Sequence, residues 1–305
     1  MQSVVPATVF VNPAAGGGCA GRKVAEVSAG FARRNYPAKI VEPDSAEELR
    51  RNVRAAVDAG CTTLIAVGGD GTLQVVASEA VGREVRVGVI PAGGGNDFAA
   101  ALGIHRDPEK AVEVIVRGNC RAVDVVRVRT ARGEALHHSL YLGGGGMGLD
   151  AEAVKYASGR FLTWRGRLRY MASAIAALRG FCGIEVEATV PDSGLPKIAK
   201  KVLIAAVLNT PTYGGGLRLA PQALVDDGML DVVMIEMMRR REVLALIPRL
   251  LATGELSTRR VVRLRAATIR LSAPRGTSFH GDGELLGETP VEIQVVHKGL
   301  QMLVP

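Results

Sequence analysis

Through the first third of the chain, short β-branched apolar runs alternate with segments whose apolar positions recur every three or four residues. "ATVFVN", "AKIVEP", "TTLIAVGG" and "VRVGVIPAG" carry the strand pattern. "GRKVAEVSAGFARR", "AEELRRNVRAAVDAG" and a segment from about Gly71 carry the helical one. This alternation predicts a parallel sheet with crossover helices. From about Val123 the pattern changes to closely spaced strand-like runs: "DVVRVRT", "LHHSLYLGG", "IEVEATV", "KVLIAAVLNT", "LDVVMIEMM", "RVVRLRAATIRLSA" and "TPVEIQVV". Such runs predict an antiparallel sandwich or open barrel. Two helices interrupt them, over roughly 151–179 and 240–252, and the polar stretch 191–200 reads as a hairpin loop.

Three strands of the first half end in glycine-rich or Asn-Pro turns. "NPAAGGG" contains Asn12 and Pro13, "GGDGT" spans Gly68, Gly69, Asp70, Gly71 and Thr72, and "PAGGGND" contains Gly94 and Asn96. In an open α/β sheet ligands collect at the carboxyl ends of the strands, and glycines there let backbone amides and a helix N-terminus approach a phosphate. One such turn can be purely steric; three in one sheet favour a nucleotide site. Asp70 beside phosphate-binding amides would repel an anion unless a cation or a proton transfer employs it, although an N-cap role would also place it there. Asn96 or Asp97 equally suits a helix cap. The chain contains no GxxxxGK[ST], so an ordinary P-loop is excluded.

In the second half, "HGDGELLGETP" sets Asp282 and Glu284 two residues apart, which puts both carboxylates on one face if the segment is extended. A hairpin turn is the plainer alternative. Paired acids beside glycines suit a base that takes a proton from an attacking hydroxyl. "LAPQALVDDGMLDVV" groups Asp226, Asp227 and Asp231 around Gly228, a spacing open both to a hard cation and to an ordinary Asp-Gly turn. His137, His138, His280 and His297 show no metal-ligand spacing, and Ser139 lacks a nucleophile-elbow context.

Composition narrows the partner. A length of 305 residues favours two domains, and 48% hydrophobic residues supply ample core. The net charge of +8 favours an anionic partner, while 4% aromatic content leaves few platforms for stacking nucleic-acid bases. Cys19, Cys61, Cys120 and Cys182 form no CxxC pair. The first residues lack a secretory leader pattern and no apolar run reaches about 18 residues, so the expected location is cytoplasmic.

Taken in order, the opening strand with "NPAAGGG", then "GGDGT", "PAGGGNDFAAALGI", "GMGLDAEAV", "LAPQALVDDGMLDVV" and "GDGE" resemble the diacylglycerol kinase catalytic family, which includes bacterial lipid kinases and sphingosine kinase-like enzymes. The resemblance implies a Rossmann-like N-terminal α/β domain at 1–127, of the NAD kinase/diacylglycerol kinase type, and a β-sandwich lipid-substrate domain at 128–295. Tail 296–305 is a candidate to pack back on the first domain. It further implies phosphorylation of a diacylglycerol-like or sphingoid hydroxyl by ATP, with nucleotide between the domains. Asn12, Pro13, Gly68, Gly69, Asp70, Gly71, Thr72, Gly94 and Asn96 would hold ATP, and Asp70 would organise Mg²⁺. Asp282 and Glu284 match the catalytic acids, with Glu284 favoured as the base. Asp227, with the carbonyls of Leu224 and Met229, matches a structural Mg²⁺ site.

Three positions depart from the family pattern: Gly94 and the segment "VEPDS" stand where threonines are usual, and Gly143 where Asn is common. The partners implied are a lipid substrate and an anionic membrane surface, met by the Arg- and aromatic-bearing stretch 158–181, with no nucleic acid. A homodimer is the assembly left open. An NAD kinase-like enzyme shares the GGDGT turn, but the chain has no Asn-Glu dipeptide to grip the nicotinamide ribose. A nucleotide- or membrane-binding regulator that has lost turnover is the remaining alternative.

Overall fold

In a computed structural model the described residues are 6–132, 135–158, 166–191, 193–256, 258–274 and 276–305. The chain divides into two compact units, Met1–Val125 with Lys298–Pro305, and Val126–His297.

The first unit contains β1 (Ala7–Val11), α1 (Ala15–Arg33), β2 (Ala38–Val41), α2 (Ala46–Asp58), β3 (Thr63–Gly68), α3 (Asp70–Ala80), β4 (Arg86–Pro91), α4 (Asp97–Ala101) and α5 (Pro108–Arg117). Its strands run parallel in the order β2, β1, β3, β4, and Gln301 and Met302 pair in parallel beside Arg86 and Val87 of β4. β1 and β3 are buried along their whole lengths, because a parallel sheet is covered on both faces. Their unbroken apolar runs have that cause. α1 packs with α5, and α2 with α3. α5 carried clear signals that the periodicity reading passed over: Asp107 caps Glu109 and Lys110 amides, Pro108 opens the helix, and Gly118 closes it at φ 75°.

β5 (Cys120–Arg132) leads into the second unit, which continues with β6 (Ala135–Tyr141), β7 (Gly144–Gly148), α6 (Leu149–Ser158), α7 (Gly166–Leu178), β8 (Ile184–Thr189), β9 (Ile198–Leu208) and β10 (Leu230–Glu236). α8 (Arg240–Thr253), β11 (Val261–Ala266), β12 (Thr268–Ser272), β13 (Ser278–Gly281), β14 (Glu284–Glu288) and β15 (Val291–Leu303) complete the order. Pairing here is antiparallel: β9 pairs with β7, β8 and β10, β12 lies between β8 and β15, and β13 joins β7 to β14.

β9 and β10 are apolar on both faces. Val202, Ala205, Val207, Val232 and Met234 enter one core with Tyr141, Met147, Ile269 and Phe279. Leu203, Ala206, Leu208, Val233 and Ile235 enter a second core that includes Leu178 of α7 and packs against Val243 and Leu246 of α8. The two helices that seemed to interrupt the sandwich therefore cover its second face.

Two sequence expectations change, and one strand is added. The described part of 151–179 is two helices, α6 and α7. The run "RVVRLRAATIRLSA" is two strands, β11 and β12. "GGGMG" is a buried strand, β7, although it has no apolar alternation. Sterics account for β7. A Cβ on Gly145 would stand 2.4 Å from the His280 carbonyl, and one on Gly146 would stand 2.4 Å from Asp150 Oδ2. Neighbouring atoms fill the space that side chains would take.

Candidate active site

In the first unit the three glycine turns pack against one another. Gly16, Gly17 and Gly18 take φ of 60, 68 and 83°, so regular helix in α1 starts only at Cys19. A Cβ at Gly16 would overlap the Ala92 carbonyl at 2.1 Å, and one at Gly93 would meet the Gly69 Cα at 2.4 Å. These contacts weld the first turn to the third and the second to the third. Asn12 ties the first to the second: its Nδ2 donates to Thr72 Oγ1 at 3.2 Å while its Oδ1 accepts the Ala14 amide. Gly68 makes room for Thr72, whose Oγ1 would lie 2.4 Å from a Cβ there.

Asp70 is the first residue of α3, but it caps α4 instead. Its Oδ2 accepts the amides of Asn96 at 2.8 Å and Asp97 at 3.3 Å, and its Oδ1 accepts that of Phe98 at 3.4 Å. Asn96 occupies the N-cap position of α4 in the left-handed region, and its own side chain is spent on Gly93, accepting the amide and donating to the carbonyl. Asn96 does not cap α4 with its side chain. Burial, with Asp97 nearby, pushes the Asp70 carboxyl up to about 6 against the three amides that favour its charge. The expected metal-organising carboxylate is thus engaged as the clasp between the second and third turns.

Gly69, at the N-cap of α3, has no side chain to accept the first amides of that helix. Two cations that the motif reading did not single out reach the third turn. Lys23 Nζ donates to the Pro91 and Arg106 carbonyls at 3.4 and 2.9 Å, and Arg106 donates to the carbonyls of Gly94 and Gly95. Gly94, where the family pattern has a threonine, is therefore held through its carbonyl. The detectable signal was a basic residue at each end of the glycine-turn region, Lys23 on the helix after the first turn and Arg106 after "LGI".

In the second unit Asp282 and Glu284 are not on an extended segment. Asp282 and Gly283 form the two-residue turn of the β13–β14 hairpin, with φ of 49 and 86°, and Gly281 pairs with Glu284 across it. Both central residues at positive φ are the requirement of the tight hairpin turn, which Asp-Gly satisfies. The Asp282 carboxylate accepts the amides of Leu142, Gly143 and Gly144 at 2.7, 3.0 and 3.1 Å. It grips the joint between β6 and β7. Glu284 opens β14 and is exposed. A Cβ at Gly143 would stand 3.1 Å from Asp282 Oδ1, so the glycine at this departure from the family pattern goes with close approach of the carboxylate.

Beneath this hairpin lies a buried polar set. Tyr213 Oη donates to Asp150 Oδ2 at 2.7 Å and stands 2.7 Å from His280 Nε2. His280 is almost wholly buried, and its Nδ1 meets no partner among the described residues. Burial first, then Asp150, holds the Tyr213 hydroxyl well above its ordinary range. Tyr141, also pushed up by burial, donates to the Val207 carbonyl at 2.9 Å. His280 was visible in the sequence, but only the fold joins it to Asp150 and Tyr213.

At the Asp226–Asp231 turn, Asp227 Oδ1 accepts the Met229 amide at 3.0 Å and Oδ2 is paired with Arg265. Arg265 also lies 3.4 Å from Asp231, whose carboxyl is raised by burial despite that charge. Both Asp227 oxygens are engaged, and among the described residues no group of three or more Asp, Glu, His or Cys could hold a metal. At the expected set of Leu224, Asp227 and Met229, the cation paired with Asp227 is the Arg265 guanidinium. Of the stretch 158–181, Phe161, Trp164 and Arg165 lie outside the described residues. No helix among the described residues is long and apolar enough to cross a membrane.

The sequence matches the family described as the diacylglycerol kinase catalytic domain over residues 6–128, and the YegS C-terminal NAD kinase beta sandwich-like domain over 145–304. The chain belongs to the diacylglycerol kinase and YegS-like lipid kinase family. Its N-terminal α/β domain and C-terminal β-sandwich-like domain are the two domains of that family. Relatives include a diacylglycerol kinase of Mycobacterium tuberculosis (strain CDC 1551 / Oshkosh), 28% identical over 98% of this chain and 94% of that one. Another is a diacylglycerol kinase of Bacillus subtilis (strain 168), 25% identical over 98% and 96%. Among solved structures, a diacylglycerol kinase from Bacillus anthracis str. Sterne superposes with a TM-score of 0.71, covering 100% of this chain and 98% of that one, at 17% identity, a likeness of fold.

Proposed function

We propose that the chain transfers the γ-phosphoryl group of ATP to the hydroxyl of a diacylglycerol-like or sphingoid lipid. The observation that carries this reading is the Asp282–Gly283 turn, which holds one acid on three backbone amides and leaves Glu284 exposed as the first residue of the returning strand. Kinship with diacylglycerol kinases supports the choice of acceptor.

On this reading the uncapped start of α3 and the Gly68–Thr72 backbone bind the phosphates, with Lys23 and Arg106 adding positive charge from the third turn. Asn12 and Asn96 keep the turns in register, and Asp70 clasps the second to the third. Mg²⁺ entering with ATP would offset the charge that develops on the transferred group. Glu284 accepts the proton of the lipid hydroxyl as its oxygen bonds to the γ-phosphorus. The bond from that phosphorus to the bridging oxygen breaks, and ADP leaves with the electron pair. Asp282 positions the turn that carries Glu284.

The test is incubation of the full chain with γ-labelled ATP, Mg²⁺, NAD and a mixed lipid extract. Label in an organic-soluble phospholipid supports the proposal. Label in NADP with no lipid product favours the NAD kinase-like reading, and nucleotide binding without label transfer favours a regulator.

A further inference from the structure

α8 is a surface helix with one packed and one open face. Val243 and Leu246 press on the second core of the sandwich-like unit. The opposite arc carries Arg240, Arg241, Leu244, Ala245, Pro248, Arg249 and Ala252, all exposed and spaced at i and i+4. Leu244 shows 49% of its surface, unusual for a leucine on a helix that already has a core to face. The arc contains no acid. The helix's one acid, Glu242, is spent on the cap, accepting the Arg239 amide at 2.7 Å, and on Arg260 at 3.4 Å. Arg239, Arg259 and Arg260 are exposed at the same end, so six arginines border a strip of leucine, alanine and proline.

Apolar residues flanked by arginines match the two layers of a lipid-water interface, acyl boundary below and anionic headgroups around it. We propose that the exposed face of α8 is a docking surface for an anionic bilayer, with Leu244 entering the interface and Arg240, Arg241 and Arg249 meeting headgroup phosphates. The inference deepens the lipid-kinase reading and takes from it the choice of a bilayer as occupant, since the proposed acceptor lies there. Charge complementarity supports the same choice: the charged side chains of the open arc are all positive, the complement of an anionic headgroup layer. The described part of the stretch expected from sequence to meet the membrane, 158–181, lies on other elements.

The test is co-sedimentation of the full chain with sucrose-loaded phosphatidylcholine vesicles, with and without phosphatidylglycerol. The expected result is partition onto phosphatidylglycerol-containing vesicles only, weakening as salt rises. Reversal of three charges (Arg240→Glu, Arg241→Glu, Arg249→Glu) should lower the partition coefficient by at least about 100-fold, the loss of three basic residues at roughly 1 kcal/mol each. Leu244→Asn should lower it without changing the salt dependence. Phosphorylation of a short-chain, water-soluble diacylglycerol should be unchanged in both variants, which separates docking from catalysis; if the reversal does not fold, Arg→Gln at the same three positions replaces it. Undiminished vesicle binding by the folded variants overturns the proposal. Vesicle binding that responds as stated in a protein without kinase activity would uphold docking while removing the kinase reading.

Discussion

At the scale of single residues, Asp70 and Tyr213 each hold a hydrogen-bonded set together. Asp70 has a folded carboxyl near 6 against an ordinary value of 3.8, raised by burial and by Asp97. The folded chain therefore holds that proton more tightly than the unfolded chain between those values. Its contribution to stability falls as pH rises from about 4 to about 6, and is level above that range. Urea midpoints across this interval should show that slope, and Asp70→Asn should flatten it; an unchanged slope would remove Asp70 as its source. Tyr213→Phe deletes the donor that Asp150 accepts and should cost about 1–3 kcal/mol, read as a lowered urea midpoint at unchanged m. Asp70 illustrates how far a residue's role is legible from its motif. Gly-Gly-Asp-Gly-Thr marked a candidate phosphate-binding turn, but which amides the carboxylate accepts depended on a loop 26 residues further on, outside any local pattern.

At the scale of elements, β7 and the β13–β14 hairpin form the framework of the candidate catalytic acids. Gly146→Ala would press a methyl to 2.4 Å from Asp150 Oδ2 and 2.9 Å from the Ala205 carbonyl. Overpacking of this kind costs about 1–3 kcal/mol, and because it strikes the polar set beneath the hairpin, activity should fall together with the melting temperature. Phe279→Ala, one residue before His280, should cost about 3–5 kcal/mol through the cavity it leaves in a fully buried position. Calorimetry on the two variants checks both. β1, β3 and β4 were legible because a strand buried on both faces writes a continuous apolar run. β7 was not, because its faces are filled by neighbours' atoms and its own residues carry almost no side chain. β11 and β12 share one apolar run, and the break at Ala267 has no turn residue to mark it.

At the scale of the whole molecule, the net charge of +8 has a visible site of concentration at the α8 face and its flanks. The two-part division was legible from the change of texture near Val123, since crossover helices and antiparallel strands leave different periodicities. What composition could not convey was where the helices of the second unit lie: they complete a core on the far face of β9 and β10. The pairing of Asp227 with Arg265 was likewise invisible, because the arginine sits 38 residues beyond the turn it neutralises.

The central claim is that Glu284, displayed by the Asp282–Gly283 turn, takes the proton of a lipid hydroxyl during phosphoryl transfer from ATP. The most direct measurement is the initial rate of diacylglycerol phosphorylation in mixed micelles by wild type and by Glu284→Gln, at matched folding stability. The account predicts a fall in kcat of about 10²–10⁴-fold, with the KM for ATP little changed. A Glu284→Gln enzyme that phosphorylates diacylglycerol at the wild-type rate would contradict it.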